Sequence, residues 1–221
     1  SALFGTPLAA TIFALEVVSI GVLYYSGLIP CITSALVAYA VSLRFGIEPM
    51  RFAAAAPEIG ALVLVRAAVL ALGCALVSIL FCETLHRTDK IAERLVKNDY
   101  LRAVTGGCII IVLTLLVGCR DYNGAGGNII AAALGGTAKP EAFAFKILFT
   151  AVTLGCGFKG GEIVPTLFVG ATFGCTAGTL LGLPAGFAAA LGVTGLFCGM
   201  TNCPITSLII SIELFGADGL L

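Results

Sequence analysis

Long apolar blocks constrain this chain more than any other feature of its sequence. From Pro57 to Cys82 the only charged residues are Glu58 and Arg66, and the others are apolar apart from Ser78. Of all 221 residues, 59% are hydrophobic and only 11% are charged, too few charges to cover a surface that faces water. Because the apolar residues run in blocks rather than alternating, we predict an all-α membrane protein. The 12 basic and 12 acidic residues balance, which argues against a nucleic-acid partner.

Glycine and proline divide the apolar sequence into segments of unequal length. We predict helices over residues 7–25, 28–45, 57–98, 100–118, 128–134, 140–154, 165–181, 184–197 and 204–215. Several contain about 12 to 17 residues, whereas a straight bilayer crossing takes about 20. Such short, broken segments are tolerated in a membrane where their freed backbone groups line a cavity or are buried in protein. The pattern is therefore typical of a transporter or channel.

An internal repeat supports this class. The segment Pro7–Glu16 (PLAATIFALE) aligns without gaps on Pro204–Glu213 (PITSLIISIE), and each opens on proline and closes on glutamate. Paired segments of this kind indicate a duplicated transporter architecture. We predict a single transmembrane domain in which residues 1–56 end the first repeat and residues 57–221 form most of the second.

Cysteine and glycine have structural interpretations. The nine cysteines form no CxxC pair, and His86 is the only histidine, so we expect small buried apolar residues rather than a zinc site. We expect neither a metal nor a cofactor. Glycines recur every four residues from position 170 to position 182. No Lys-Ser/Thr pair follows them in phosphate-binding order, so they predict close helix packing.

The most informative stretch covers residues 155–170, GCGFKGGEIVPTLFVG. Its glycines loosen the backbone ahead of Pro165, where we predict that a helix starts. Unpaired N–H groups at a helix start, together with the positive end of the helix dipole, bind anions. Inside a membrane this arrangement suits a small anion that enters and leaves quickly.

The charged and polar residues near this stretch each have two interpretations. Glu162 could couple protons to the anion, by competing with it and exchanging once protonated, or could cap the helix by accepting from Val164 or the next turn. Lys159 either attracts anions or extends to lipid headgroups. Tyr122 and Asn123 lie in a predicted helix break, where they either line the pore or satisfy freed backbone groups.

These motifs resemble those of the chloride channel and transporter (CLC) family. The run GFKGGEIVPTLFVGATFG is similar to the family's second-half anion motif, and PLAATIFALE, RDYNGAG and NCPITSLIISIEL resemble other family segments in the same order. Glu162 followed by Ile163 resembles the bacterial fluoride/proton antiporter branch. The resemblance covers essentially the whole chain. It implies an inverted-repeat bundle of tilted, broken helices, with an anion path in each subunit of a homodimer in a bacterial plasma membrane.

The resemblance also implies roles for individual residues. It assigns Gly160, Gly161, Glu162 and Ile163 to the central anion site, with the N–H groups of the last two as donors and Glu162 as a partner of the gating glutamate. The gapless alignment puts Val17 where the chloride/proton branch has its internal proton-transfer glutamate. We therefore expect a structural role for the neighbouring Glu16, capping or pairing near the subunit interface.

The family's gating-glutamate segment and pore tyrosine have no counterpart in this sequence. Because the chain also opens on Ser1 inside an apolar segment, we expect an internal piece of a longer membrane protein. Such a piece would hold about half of the anion site and would not conduct alone.

Three functions stay open at this point. The first is fluoride/proton antiport, with halide anions and protons as partners. The second is a chloride channel or chloride/proton antiporter of the same family. The third, more remote, is a membrane-embedded enzyme, which needs clustered aspartates, whereas Asp89, Asp99, Asp121 and Asp218 are scattered. We therefore expect no enzymatic activity.

Overall fold

A computed structural model describes residues 1–2, 4–18, 24–47, 52, 57 and 60–216 of the chain. Every regular element within these ranges is helical. The α-helices are α1 (Pro7–Glu16), α2 (Leu28–Arg44), α3 (Ala61–Leu95), α4 (Asp99–Val117), α5 (Gly127–Leu134), α6 (Ala142–Gly155), α7 (Ile163–Leu180), α8 (Ala185–Thr201) and α9 (Pro204–Phe215). A short 3₁₀ turn at Tyr25–Gly27 precedes α2. The predicted all-helical class is confirmed.

Four helical segments in the described part are long and apolar enough to cross a membrane. They are Tyr25–Arg44, Ala61–Leu95, Asp99–Val117 and Ile163–Leu180. The 35 residues of α3 span about 50 Å, longer than a bilayer's hydrocarbon core of about 30 Å. The other apolar helices of ten or more residues have at most 17, as the spacing of glycine and proline predicts.

Some predicted helix bounds differ from the observed ones. Helix α1 ends at Glu16 and is followed by a turn, so the predicted helix over residues 7–25 is too long, and residues 19–23 lie outside the described ranges. Helix α3 begins at Ala61 rather than near Pro57, and Glu58 is outside the described residues. The predicted division of the repeats at residues 56 and 57 stays a prediction.

Helices α7 and α8 pack directly on each other's backbone at the centre of the bundle. A Cβ added to Gly170 would come within 2.6 Å of the Gly192 carbonyl oxygen. Gly174 faces Gly192 and Ala188 equally closely, so only glycine fits along this seam. Phe168 and Leu196 fill the surrounding core and are completely buried. The glycine spacing thus predicts the close helix contact correctly for three of its four members.

Gly182, the fourth member, does not belong to the packed face. It lies beyond the end of α7 with a φ of +69°, a left-handed conformation that favours glycine. Its carbonyl accepts a hydrogen bond from Arg66 Nη1 at 2.9 Å. The helix ends before the four-residue spacing does, and the freed carbonyl satisfies an arginine within an apolar helix.

Helices α1 and α9 cap each other through the repeated glutamates. Glu16, at the end of α1, is buried and accepts from the N–H groups of Ile205 and Thr206 at 3.1 and 2.8 Å. It also accepts from the Thr206 hydroxyl at 2.6 Å. Glu213, near the end of α9, accepts from the N–H groups of Leu8 and Ala9 at 3.0 and 2.8 Å.

These bonds explain why proline and glutamate lie nine residues apart in both segments. Each proline occupies the first helical turn, where its missing N–H costs no hydrogen bond. Each glutamate then reaches the orphan N–H groups at the start of the antiparallel partner helix. Glu16 therefore has the structural role that the gapless alignment predicts.

Candidate functional site

Helix α7 starts at Ile163, two residues before the predicted start at Pro165. Glu162 occupies the N-cap position, and its side chain makes no capping hydrogen bond. The capping interpretation of Glu162 is therefore not realised among the described residues. Pro165 is the third helical residue, a position at which it removes one of the orphan N–H groups of the first turn.

The N–H groups at this helix start remain open. Those of Ile163 and Val164 donate to no acceptor within residues 60–216, and neither does that of Glu162. The first backbone bond of the helix runs from the Thr166 N–H to the Glu162 carbonyl at 3.0 Å. The apolar side chain of Ile163 packs against the main core cluster. Consecutive unpaired N–H groups thus mark the positive end of an 18-residue helix.

The glycines before the helix line a cavity of about 530 Å³. Gly160 and Gly161 form one wall with Val164 and Pro165, the start of α7. The lining also includes Tyr122 and the residues that follow it in the break between α4 and α5. The fold therefore brings the predicted glycines together with both predicted pore-lining residues of the break.

Tyr122 and Asn123 make different contacts in this break. The Tyr122 ring is buried and packs against the rings of Phe145, Phe149 and Phe168, with centroids 5.4–6.3 Å apart. The Asn123 amide hydrogen-bonds the Thr114 hydroxyl at 3.1 Å, which ties the break to α4. Both residues border the cavity, and these contacts also support the structural interpretation of each.

Glu162 lies beside a different cavity. This space of about 380 Å³ is lined by Cys82, His86 and Asp89 of α3 and by Gly155 at the end of α6. The Glu162 residue is exposed in the described structure. The adjacent positions 161 and 162 therefore line two separate cavities, one containing the break residues and one containing titratable side chains of α3.

Lys159 is exposed and borders neither cavity. Within residues 60–216 the ion pairs join Arg87 to Glu83, Arg102 to Asp99 and Lys139 to Asp121, so Lys159 takes part in none of them. Its position is compatible with either of the two interpretations given by the sequence.

Sequence analysis missed one residue of this site, Lys146. It lies in the apolar helix α6 with only 3% of its surface exposed, and it borders the larger cavity. Its ammonium group donates to the carbonyl oxygens of Tyr122, at 3.1 Å, and of Gly124. A charge in the interior of an otherwise apolar predicted helix is the signal that could have identified it, since such residues are rarely without function.

Comparison with known proteins places this arrangement in a family. A family model described as "Voltage gated chloride channel" matches residues 1–221. A "Chloride/fluoride channel protein" of Pseudomonas syringae is 34% identical over 99% of this chain and 50% of its own length. An uncharacterized protein of Methanocaldococcus jannaschii is 24% identical over 97% of this chain and 55% of its own length.

A solved structure has the same fold. The crystal structure of a CLC-type fluoride/proton antiporter matches with a TM-score of 0.92 and 30% sequence identity, over 97% of this chain and 55% of that one. The chain thus spans about half the length of the relatives that it matches. Because the family model matches every residue and the architecture agrees, the chain belongs to the voltage-gated chloride channel (CLC) family of integral membrane proteins.

Proposed function

We propose that this chain forms part of a protein that carries small anions across a membrane, and that it exchanges fluoride for protons. The anion site includes Gly160, Gly161, Glu162 and Ile163. The observation that carries the proposal is the set of open N–H groups at the start of α7, beside glycines that border a cavity. Backbone donors bind an anion without the full opposing charge that would trap it.

The names of the relatives support the choice of ion. The Pseudomonas relative is named for chloride and fluoride, and the solved structure is named a fluoride/proton antiporter. A channel and an antiporter are the functions in these names, which favours transport over the remote alternative of a membrane-embedded enzyme.

Glu162 is the proton-coupling residue in this proposal. Glu162 borders one cavity while the preceding Gly161 borders the other, so it lies between a group of exposed titratable side chains and the anion cavity. A protonated Glu162 carries no charge and permits an anion at the neighbouring N–H groups, whereas the carboxylate repels it. Lys159 is exposed ahead of the glycines and borders neither cavity, so in this proposal it contributes little to the attraction of the anion.

We also propose that the protein is a homodimer in a lipid bilayer, in the plasma membrane of a bacterium. The capped pair α1 and α9 exposes large apolar side chains, with 53% of Leu8 and 58% of Leu208 accessible. Ile205 and Ile212 of α9 are also partly exposed. The resemblance to the family matches these two helices with helices of the subunit interface, where a second copy would cover such side chains.

A flux experiment tests the proposal. The full-length protein is reconstituted in liposomes, and fluoride efflux and chloride efflux are measured under a proton gradient. We expect fluoride to be preferred and proton movement to accompany it. Glu162→Gln weakens the coupled transport, whereas Glu93→Gln, which removes an exposed carboxylate on α3, does not.

The same experiment distinguishes fluoride/proton antiport from the second candidate function. A chloride channel or chloride/proton antiporter of this fold gives chloride flux equal to or above the fluoride flux, insensitive to Glu162→Gln. The name of the Pseudomonas relative, which includes chloride, is the observation that favours this second candidate.

A further inference from the structure

Lys146 is a buried cation whose only polar contacts in the described structure are carbonyl oxygens. It is the single charged residue of the otherwise apolar helix α6, and 3% of its surface is exposed. Burying an ammonium group is costly unless it is paired and hydrogen-bonded. The ion pairs formed among residues 60–216 do not involve it. Among the described residues, its positive charge is therefore offset by carbonyl dipoles and by no acidic side chain.

The contacts of the ammonium group fix it at the wall of the anion cavity. Two of its three N–H bonds point to the carbonyl oxygens of Tyr122 and Gly124. Its nitrogen lies 5.0 Å from the centroid of the Phe168 ring. Lys146 borders the same cavity as Gly160 and Gly161. The charge thus has a fixed position facing the space that leads to the start of α7.

Holding the break between α4 and α5 does not by itself require a charge. A neutral amide of similar length donates to carbonyl oxygens as well, without the cost of burying an ion. The charge adds a positive potential inside a low-dielectric cavity, where it raises the local concentration of anions far more than an exposed lysine does.

We propose that Lys146 is the fixed cation of the anion cavity, which attracts the permeant halide and holds it next to the backbone donors of α7. This inference rests on the proposed function. It adds a residue of α6 to the site. The hydrogen bonds from Lys146 to the Tyr122 and Gly124 carbonyls then have a second role, which is to orient the ammonium group toward the cavity.

The test compares four forms of the full-length protein in liposomes: wild type, Lys146→Arg, Lys146→Gln and Lys146→Met. The measured quantity is the initial rate of anion efflux as a function of internal fluoride concentration. Arg keeps the charge, Gln keeps a hydrogen-bond donor without the charge, and Met keeps neither. We expect Gln and Met to raise the half-saturating concentration by about tenfold, the scale of electrostatic focusing in a cleft, and Arg to stay near the wild type.

Lys139→Gln is the matched control. It removes the same charge from an exposed lysine, paired with Asp121 at 3.5 Å, and should leave the half-saturating concentration unchanged. A Gln variant that saturates like the wild type, with Met alone impaired, would show that Lys146 only holds the break and would overturn the proposal.

Two further outcomes separate a failure of the proposed function from a failure of the role of Lys146, and allow for variants that do not fold. If the wild type carries neither fluoride nor chloride, the proposed function fails, whereas normal wild-type flux with an unaltered Gln variant overturns the role of Lys146 alone. If the Gln and Met variants both fail to give a monodisperse gel-filtration peak, the half-saturating concentration of the Arg variant decides the role of Lys146. A folded Arg variant whose half-saturating concentration shifts by about tenfold, despite its retained charge, contradicts the proposal.

Discussion

The helix starts of α1 and α9 differ from the start of α7 in what occupies their orphan N–H groups. At α1 and α9 a glutamate from the partner helix accepts two backbone N–H groups in each case. At α7 the glutamate is at the N-cap position itself and makes no capping bond, and the donors stay open beside a cavity.

The same residue type thus supports two opposite arrangements. Glu16 and Glu213 each accept the orphan N–H groups at the start of the partner helix, which holds the two repeat segments together. Glu162 leaves its helix start open and faces a separate cavity instead. A glutamate near a proline-containing helix start is therefore structural or functional according to whether its carboxylate reaches the open N–H groups.

The largest effect on stability is expected for Glu16→Ala. This substitution leaves the N–H groups of Ile205 and Thr206, and the buried Thr206 hydroxyl, without their acceptor. We expect a loss of about 3 kcal/mol in the free energy of unfolding, since bonds to charged groups contribute about 1.5–3 kcal/mol each and their losses do not add fully. Unfolding in mixed detergent micelles measures it. An unchanged unfolding midpoint would show that the reciprocal caps do not stabilise the helix pair.

Gly161→Ala tests the open helix start. An added Cβ at this position meets no atom within 4 Å, so the unfolding midpoint should not change. The methyl group nevertheless projects at the cavity border, and we expect the half-saturating anion concentration to rise by about tenfold, as one extra carbon in a fitted pocket does. Gly60→Ala, which is equally unhindered and far from the site, is the control. Normal anion affinity in the Gly161 variant would argue against a site at these residues.

Glu213→Ala should destabilise less than Glu16→Ala. Its carboxylate makes two hydrogen bonds rather than three, and the bond from the Leu8 N–H is exposed, whereas two of the three bonds to Glu16 are buried. We expect about 1 kcal/mol, measured by the same unfolding assay. A loss as large as that of Glu16→Ala would mean that exposure does not set the difference between the two caps.

Among the three glutamate variants, Glu162→Ala should change the stability least. The side chain is exposed and makes no capping bond, so the free energy of unfolding should stay within about 0.5 kcal/mol of the wild type. The coupled flux should fall nevertheless. A clear loss of stability would indicate that Glu162 caps α7 after all, and the contrast with Glu16 would disappear.

Much of the fold could be predicted from the sequence because apolar runs and Gly/Pro breaks act locally. The bounds of α9 agree with the prediction, and those of α2 and α4 agree within a residue. The structural role of Glu16 also agrees with the prediction, which comes from the resemblance that puts Val17 at the family's proton-transfer position. The start of α7 was placed two residues late because Pro165 is tolerated throughout a first turn, not only at its first position.

The composition of the site was harder to predict because it depends on tertiary packing. Lys146 is fourteen residues from Gly160 along the chain and lies within a segment that the sequence predicts only as an apolar helix. Its contacts depend on the packing of α6 against the α4–α5 break. The second cavity beside Glu162 depends in the same way on α3, whose residues 82–89 no local pattern connects with position 162.

A distance between bound fluoride and the Glu162 nitrogen tests the central claim most directly. Gly161–Glu162 is the only Gly–Glu step in these 221 residues, so carbonyl-¹³C glycine with ¹⁵N glutamate selects that nitrogen within them. The loss of its solid-state NMR signal in the Glu162→Gln variant identifies it in the spectrum of the reconstituted full-length protein. We predict strong dephasing of its signal by ¹⁹F in saturating fluoride, at an N···F distance of about 3 Å, a hydrogen-bond length. Full fluoride transport with no ¹⁹F effect on this nitrogen would contradict the account.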